Sequence, residues 1–359
     1  MGEKVFEIGS EYDWESNIPF LMKEENDFFL NVSKRNVKFL RSGRDAIRYV
    51  AKLCKGEYQT VLMPALACSS MPDPFAEEGY NVVYYKVNED FSIDIGDIEE
   101  KLLPNSILFF MNYFGQISIT DKEIVMLKEK AKNIIFVEDI THDLLKRRND
   151  TFQSDYIVCS IRKWFAIPDG GMVIGKEPFE LLQTVEDSYF ATLRESAMKQ
   201  KSRYLCTGEL AEKEEYRNTL AISNAYIEHV GNMANAQADS INIVSHLNLK
   251  EIYELRVKNV TVLKKGIEKS NGIVSLVTNC EDSTLYYPIY VKDKQSEVQR
   301  KMAEHSIYLP VIWPLPKGAE GICRMADQVA ESMLAIPCDH RYSVHDMKKI
   351  VEMLQICIQ

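Results

Sequence analysis

The stretch Ile134-Ile135-Phe136-Val137-Glu138-Asp139, read together with Ser160-Ile161-Arg162-Lys163-Trp164 further on, decides the fold. The first is a short apolar run closed by two acids, the pattern of a buried strand that delivers a carboxylate at its end. Strand alternation sends Glu138 and Asp139 to opposite faces, so only one of them can meet a ligand. Open α/β sheets bind ligands beyond the carboxyl ends of their strands. A strand-end acid there, with a lysine followed by Trp164, Phe165, Ala166 and Ile167, is a candidate pair. Alone, neither residue carries weight: lysines mostly lie on surfaces and aspartates often cap helices.

Outward from that pair, short apolar runs alternate with helical patterns. Residues 61–64, 82–85, 107–110, 134–137, 156–159 and 172–174 read as strands, and 71–79, 95–103 and 122–132 as helices. Ala46, Ile47, Val50 and Leu53 recur at helical spacing behind Gly43-Arg44-Asp45, which open that helix. Near-continuous apolar strands separated by helices describe a mostly parallel sheet covered on both faces. From about 177 to 259 the pattern is helical and charge-rich. Beyond it, 285–291 and 307–312 read as strands, with helices over 296–304 and 344–355. The chain therefore divides into an N-terminal segment and large domain (1–249) and a small C-terminal α+β domain (250–359).

A chain of 359 residues can bury two cores of this kind. Its net charge of −10 excludes nucleic acid and anionic membrane as main partners, since both need a basic footprint. No apolar run approaches a membrane span, and Met1-Gly2-Glu3-Lys4 has no apolar segment behind it. Eight cysteines, Cys280 among them, and six histidines are dispersed without metal-ligand spacing. The expectation is a cytoplasmic protein with free thiols and no metal.

With Ser42-Gly43-Arg44-Asp45-Ala46, Asn112-Tyr113-Phe114-Gly115-Gln116, Glu138-Asp139-Ile140-Thr141-His142, Lys163 through Gly171, and Leu334 through Tyr342 in this order, the chain resembles the fold-type I pyridoxal-phosphate enzymes. Within them it is most similar to the DegT/DnrJ family of sugar aminotransferases. The resemblance implies an α/β fold-type I transferase with a mostly parallel seven-stranded sheet in the large domain, and pyridoxal 5′-phosphate (PLP) as cofactor. It implies a homodimer that shares its active sites. The substrates would be an amino donor such as glutamate and a keto sugar acceptor, expected to be nucleotide-linked.

The resemblance also gives residues roles. Lys163 would carry the cofactor's aldehyde carbon and move the proton in transamination. Asp139 would keep the ring nitrogen protonated, so that the ring acts as an electron sink. His142 would sit by the phenolic oxygen. Gly43, Arg44 and Asp45 would offer backbone amides to the phosphate at a helix N-terminus, with Ser160 as a further ligand. Arg44 and Asp45 depart from the small or hydroxyl residues of relatives, and Ser160 stands three rather than five residues before the lysine. The ring would be stacked by Cys68, in place of the usual aromatic, or by Tyr113 or Phe114. Trp313 is a candidate for the substrate mouth. Ser240 to Ser245 occupies the region of a Gly-x-Asn-Tyr-Arg segment without matching it. Tyr226, Val230 and Met233 are candidates for burial against a second subunit. The alternatives are another PLP reaction, a lyase or dehydratase, or a non-catalytic module of the same fold. Sugar dehydratases of the family replace the lysine by histidine, which Lys163 argues against.

Overall fold

The computed structural model describes residues 5–32, 34–147, 153–276 and 284–358; Met1 to Lys4 and Cys280 lie outside them. In chain order its first part holds α1 (Asp27–Val32), β1 (Asn36–Leu40), α2 (Gly43–Leu53), β2 (Thr60–Pro64), α3 (Pro72–Glu77) and β3 (Asn81–Tyr85). Then come α4 (Ile95–Lys101), β4 (Ser106–Met111), α5 (Asp121–Lys130), β5 (Ile135–Asp139), α6 (Leu144–Arg147), β6 (Tyr156–Cys159) and β7 (Gly171–Gly175). The seven strands form one sheet in the order β1-β7-β6-β5-β4-β2-β3. Strands β2 to β6 pair in parallel, and β7 runs antiparallel to both β6 and β1. The expected mostly parallel sheet is present. Its order carries β5 and β6, with Asp139 and the approach to Lys163, side by side at the centre.

Local chemistry explains the element ends. All six residues of β4 are buried, as a central strand covered on both faces requires. Ser42 caps α2 by accepting from the Asp45 amide at 3.1 Å. Thr120 and Glu123 form a capping box on α5. Strand β1, a half-buried edge strand (Asn36-Val37-Lys38-Phe39-Leu40), has too mixed a pattern to stand out in the sequence.

A helical layer follows: α7 (Tyr189–Thr207), α8 (Leu210–His229), α9 (Ala238–Ser245) and α10 (Leu249–Ile267). The rest comprises β8 (Val274–Ser275), β9 (Tyr286–Tyr290), α11 (Gln295–Glu304), α12 (Arg324–Ser332), β10 (Met333–Pro337) and α13 (Val344–Ile358). Its three strands make a second, antiparallel sheet, β10-β9-β8. The expected strand over 307–312 is not one: only Ile307 bridges, to Ile8, and the rest is an irregular loop that faces a cavity. The strand in its place is β10, inside the stretch read only as a closing motif. Residues 8–12 run along this half of the molecule, where the Tyr342 hydroxyl accepts from the Gly9 amide at 2.8 Å. Among the described residues no helix is long and apolar enough to cross a membrane, and no cluster of side chains could hold a metal ion.

Candidate active site

Two adjoining cavities meet at Lys163. The inner one, about 250 Å³, lies at the strand ends and is lined by Ser42, Gly43, Arg44, Cys68, Asp139 and Ser160, among others. The outer one, about 990 Å³, is bounded by residues 9–12, α8, α11 and the 309–313 loop. His142, Arg162, Lys163, Asn224 and Trp313 line both.

The floor is assembled by a residue without a role in the sequence reading, Thr141. Its amide donates to Asp139 Oδ1 at 2.8 Å, its hydroxyl accepts from the Ser160 amide at 2.9 Å, and its carbonyl accepts from Trp164 Nε1 at 2.6 Å. Asp139, Ser160 and the lysine-bearing turn Ile161–Lys163 are thereby tied together. The Lys163 segment is clamped from outside as well. Asn17 exchanges two hydrogen bonds with the backbone of Ala166, both at 3.1 Å. The Tyr12 hydroxyl donates to the Trp164 carbonyl at 2.9 Å, and the Arg256 guanidinium covers the indole at 4.4 Å. Glu138 points the other way, bonded to Asn112 and Ser154, as strand alternation requires.

The phosphate end is built by close approach. A Cβ on Gly43 would meet the Ser160 Cβ at 2.9 Å, and one on Gly171 would meet the Ser42 carbonyl oxygen at 2.1 Å. Both glycines are needed for β7 and α2 to close on Ser160. Ala46 donates to the Ser42 carbonyl and Asp45 to its hydroxyl, but the Gly43 and Arg44 amides have no partner among the described residues. Two free amides at a helix N-terminus, beside the Ser160 hydroxyl, suit a phosphate. Asp45 needs correcting as a cofactor contact. Its amide is taken by the cap, and its carboxylate turns away to pair with Arg41 at 2.8 and 3.1 Å. Burying that charge demands a bidentate cation partner, and Arg41 supplies it. Arg44 lines the cavity with its guanidinium toward Asp73 at 3.4 Å.

His142 is held as a neutral ring. Phe114 donates its backbone N–H to Nδ1 at 3.3 Å, which leaves the ring proton on Nε2. Burial and then the Lys163 charge push its pKa well below the ordinary histidine value. Trp313 stacks on it at 5.2 Å and 28°. Phe114 itself is a correction: its left-handed backbone (φ 52°) turns the ring inward against Phe91 and the back of His142, away from the cavity. Tyr113 is buried with its hydroxyl on the Leu66 carbonyl. Of the three stacking candidates, Cys68 alone lines the inner cavity; its sulfur accepts from Ser70 Oγ at 3.2 Å. In the Gly-x-Asn-Tyr-Arg region, Ser240 bonds the buried Asp169 instead.

These residues fit the cofactor that the resemblance implies. Burial raises the pKa of the Asp139 carboxyl, and among the described residues no cationic partner is bonded to it, so a ring N–H⁺ would supply the missing charge. Lys163, free amides and a serine hydroxyl complete the set.

An α/β sheet with a lysine, a strand-end carboxylate and a phosphate-type helix N-terminus at one cavity defines a cofactor-dependent transferase class. The chain belongs to the DegT/DnrJ/EryC1/StrS aminotransferase family, whose model matches residues 14–355. No curated protein matches it in sequence. Among solved structures it is similar to Spr1654 from Streptococcus pneumoniae, assigned as a sugar aminotransferase, in its PLP form. The identity is 14%, the TM-score 0.65, and the match covers 99% of this chain and 98% of that one. DesV from S. venezuelae matches at 15% identity and TM-score 0.64, over 95% and 90% of the two chains. The sugar aminotransferase CalS13 from Micromonospora echinospora matches at 13% and 0.62, over 99% and 100%. At these identities the structures establish a shared fold.

The residues that sequence reasoning missed divide by signal. Thr141 lies inside the motif Glu138-Asp139-Ile140-Thr141-His142 and is readable there. Asn224, Ile227 and Glu228 of α8, which cover the inner cavity, belong to a charge-rich helix with no motif at all.

Proposed function

We propose that this protein is a PLP-dependent aminotransferase that moves an amino group from an amino acid such as glutamate to a keto sugar, in the making of a deoxysugar or polysaccharide. The family supports amino transfer, and PLP is supported by the fit above and by the PLP and PMP forms of Spr1654. The observation that carries the reading is the convergence of Lys163, Asp139, the free Gly43 and Arg44 amides and Ser160 on one cavity. When bound, the cofactor supplies the electron sink for breaking the bond to hydrogen at the substrate carbon. Asp139 would hold the proton on the ring nitrogen, the neutral His142 would donate from Nε2 to the phenolic oxygen, and Cys68 would pack on the ring. Lys163 Nζ would take the proton from the substrate carbon and return it on the cofactor side. Trp313 would close the cavity against water.

The outer cavity is large enough for a nucleotide-linked sugar, and its lining includes Arg217 of α8 and Arg300 of α11, the latter also paired with Glu304. Cations there suit a phosphorylated acceptor. A homodimer is supported by exposed apolar side chains: Leu181, Tyr189, Leu210 and Ile222 are each more than half exposed. The earlier candidates do not serve that argument. Met233 is buried in the chain's own core, Val230 is half-buried, and Tyr226 sits under Arg41 with its hydroxyl on Asp187. Seven described cysteines are free thiols, which suits a reducing cytoplasm. We keep the division after residue 249, where α10 begins, as the proposed limit of the large domain.

Glutamate is the test. Added to the holoenzyme, it should abolish the visible absorption band and release 2-oxoglutarate, and a keto sugar should restore the band. An unchanged spectrum with every amino donor would reduce the protein to a binding module. Sedimentation of the turning-over enzyme tests the dimer; a monomer at micromolar concentration would refute it.

A further inference from the structure

Arg162 immediately precedes Lys163 on the same short turn, and both side chains line the junction of the two cavities. Its backbone is fixed, with the amide donating to Gly170 at 3.2 Å. Its guanidinium is not satisfied. Nε is buried without a hydrogen bond, and among the described residues the group has no ion-pair partner within bonding distance. Its packing is against the Phe190 ring at 5.7 Å, whose centroid lies 5.8 Å from the second guanidinium, Arg194.

The neighbouring charges have bonded partners, although Arg194 keeps Nε and Nη1 without a hydrogen bond. Of the acids that act on Arg162, Glu11 is bonded to Arg194, its pKa held at about 2, against burial, by Arg194 and then Arg162, and Asp169 is bonded to Ser240 and the Gln237 amide. Lys201 is bonded to Glu7 and to the Glu11 carbonyl. Arg341, on the outer wall, is closed in a bidentate pair with Asp339 at 2.8 Å. Burial and the repulsion of Arg194 lower the Arg162 pKa to about 10. An arginine left half-buried and unpaired is costly unless an anion completes it.

Resting on the aminotransferase reading, we propose that Arg162 binds the α-carboxylate of the amino donor. The α-carboxylate is attached to the very carbon whose proton Lys163 is to take. A guanidinium on the next residue of the same turn, facing the same junction, can grip it while leaving the lysine amine free. The planar fork suits a carboxylate in two parallel hydrogen bonds, which would also fix the rotation of the substrate about its bond to nitrogen. The sugar acceptor has no α-carboxylate, so the same cation would serve the donor half-reaction and stand open to a hydroxyl or water in the other.

The test separates the carboxylate from everything else about the donor. 2-Methylglutamate has no proton to lose at its α-carbon, and 4-aminopentanoate is the same molecule without the α-carboxylate. Calorimetric titration of each into the holoenzyme should show the wild type preferring 2-methylglutamate. Arg162→Gln should bind it about 10- to 100-fold more weakly, the range of a charge-assisted contact, and 4-aminopentanoate less than about 3-fold more weakly. Arg162→Lys should recover part of the loss. Equal losses for both ligands, no loss, or a wild type that binds neither or does not distinguish them would overturn the proposal. So would a fall in PLP affinity in Arg162→Gln, measured by cofactor titration, since that would assign the arginine to the cofactor phosphate. Failure of the amino-transfer reading looks different: glutamate leaves the wild-type spectrum unchanged while the two binding constants still part or coincide.

Discussion

The inner and outer cavities meet at Lys163 but are made in opposite ways. The inner one is floored by strand ends and the turns directly after them: Ser42 to Arg44 after β1, Asp139 to His142 after β5, Ser160 to Lys163 after β6. Each side chain is placed by the sheet and by a local hydrogen bond, such as the three made by Thr141. The outer cavity is walled by segments far apart in the chain: residues 9–12, α8, α11 and the 309–313 loop. Its polar groups are held by long-range pairs such as Lys213 with Glu7 and Tyr308. Chemistry common to a family can be written into short motifs on a rigid sheet. Substrate choice is written into surfaces that no short motif describes.

The comparison breaks most easily at the inner cavity. Lys163→Ala should lower turnover by at least about 10³-fold, and borohydride should no longer fix cofactor mass on the chain. A reduced adduct on a different lysine would remove Lys163 from its role. Asp139→Ala should cost about 10²–10³-fold in turnover. Replacing Glu138, which faces Asn112 and Ser154, should instead lower stability, so equal kinetic losses for the two acids would show that the alternation argument has picked the wrong face.

The outer segments should respond in stability and KM. Asn17→Ala removes the reciprocal pair with Ala166 and should cost about 1–3 kcal/mol by denaturant unfolding. His340 gives a pH signature. Burial and then Arg256 depress its pKa to about 3, and neither ring nitrogen has a hydrogen bond. Below about pH 6.5 the unfolded chain takes up a proton that the folded one refuses until about pH 3. Stability should therefore fall on acidification through this window, by up to about 1.4 kcal/mol per pH unit from this group, and His340→Phe should remove that part of the slope. An unchanged slope would mean that His340 is not held neutral. The smallest effect is expected of Arg217→Ala, an exposed charge in the lining of the outer cavity. It should raise KM for a phosphorylated acceptor about 2- to 5-fold, and less at high salt. No change at low salt would leave Arg217 outside the acceptor's reach.

Much of the inner cavity was legible in the chain. Apolar runs and their alternation with helices place β2 to β7, and the order of short motifs names Gly43, Asp139, His142, Ser160 and Lys163. Two readings failed for the same reason. Asp45 and Phe114 sit in the right motifs, but their side chains are claimed away from the cavity: Asp45 by Arg41, four residues before it, which also reaches the distant Asp187, and Phe114 by Phe91 and His142. The loop at 307–312 failed because a strand pattern needs a neighbour, and β9 takes β10 instead.

What the sequence by itself determined is local: periodicity sets each strand and helix, and a residue directly after a strand end must emerge at the sheet's carboxyl edge. What the tertiary structure alone decided is which groups are left without partners. That Arg162 is open while Arg194 is paired depends on Glu11 arriving from 183 residues away, as Arg41 reaches Asp187 across 146 residues. Pairing of buried charges is a property of three-dimensional neighbourhoods, because the energies involved fall off within a few ångströms and take no account of position along the chain.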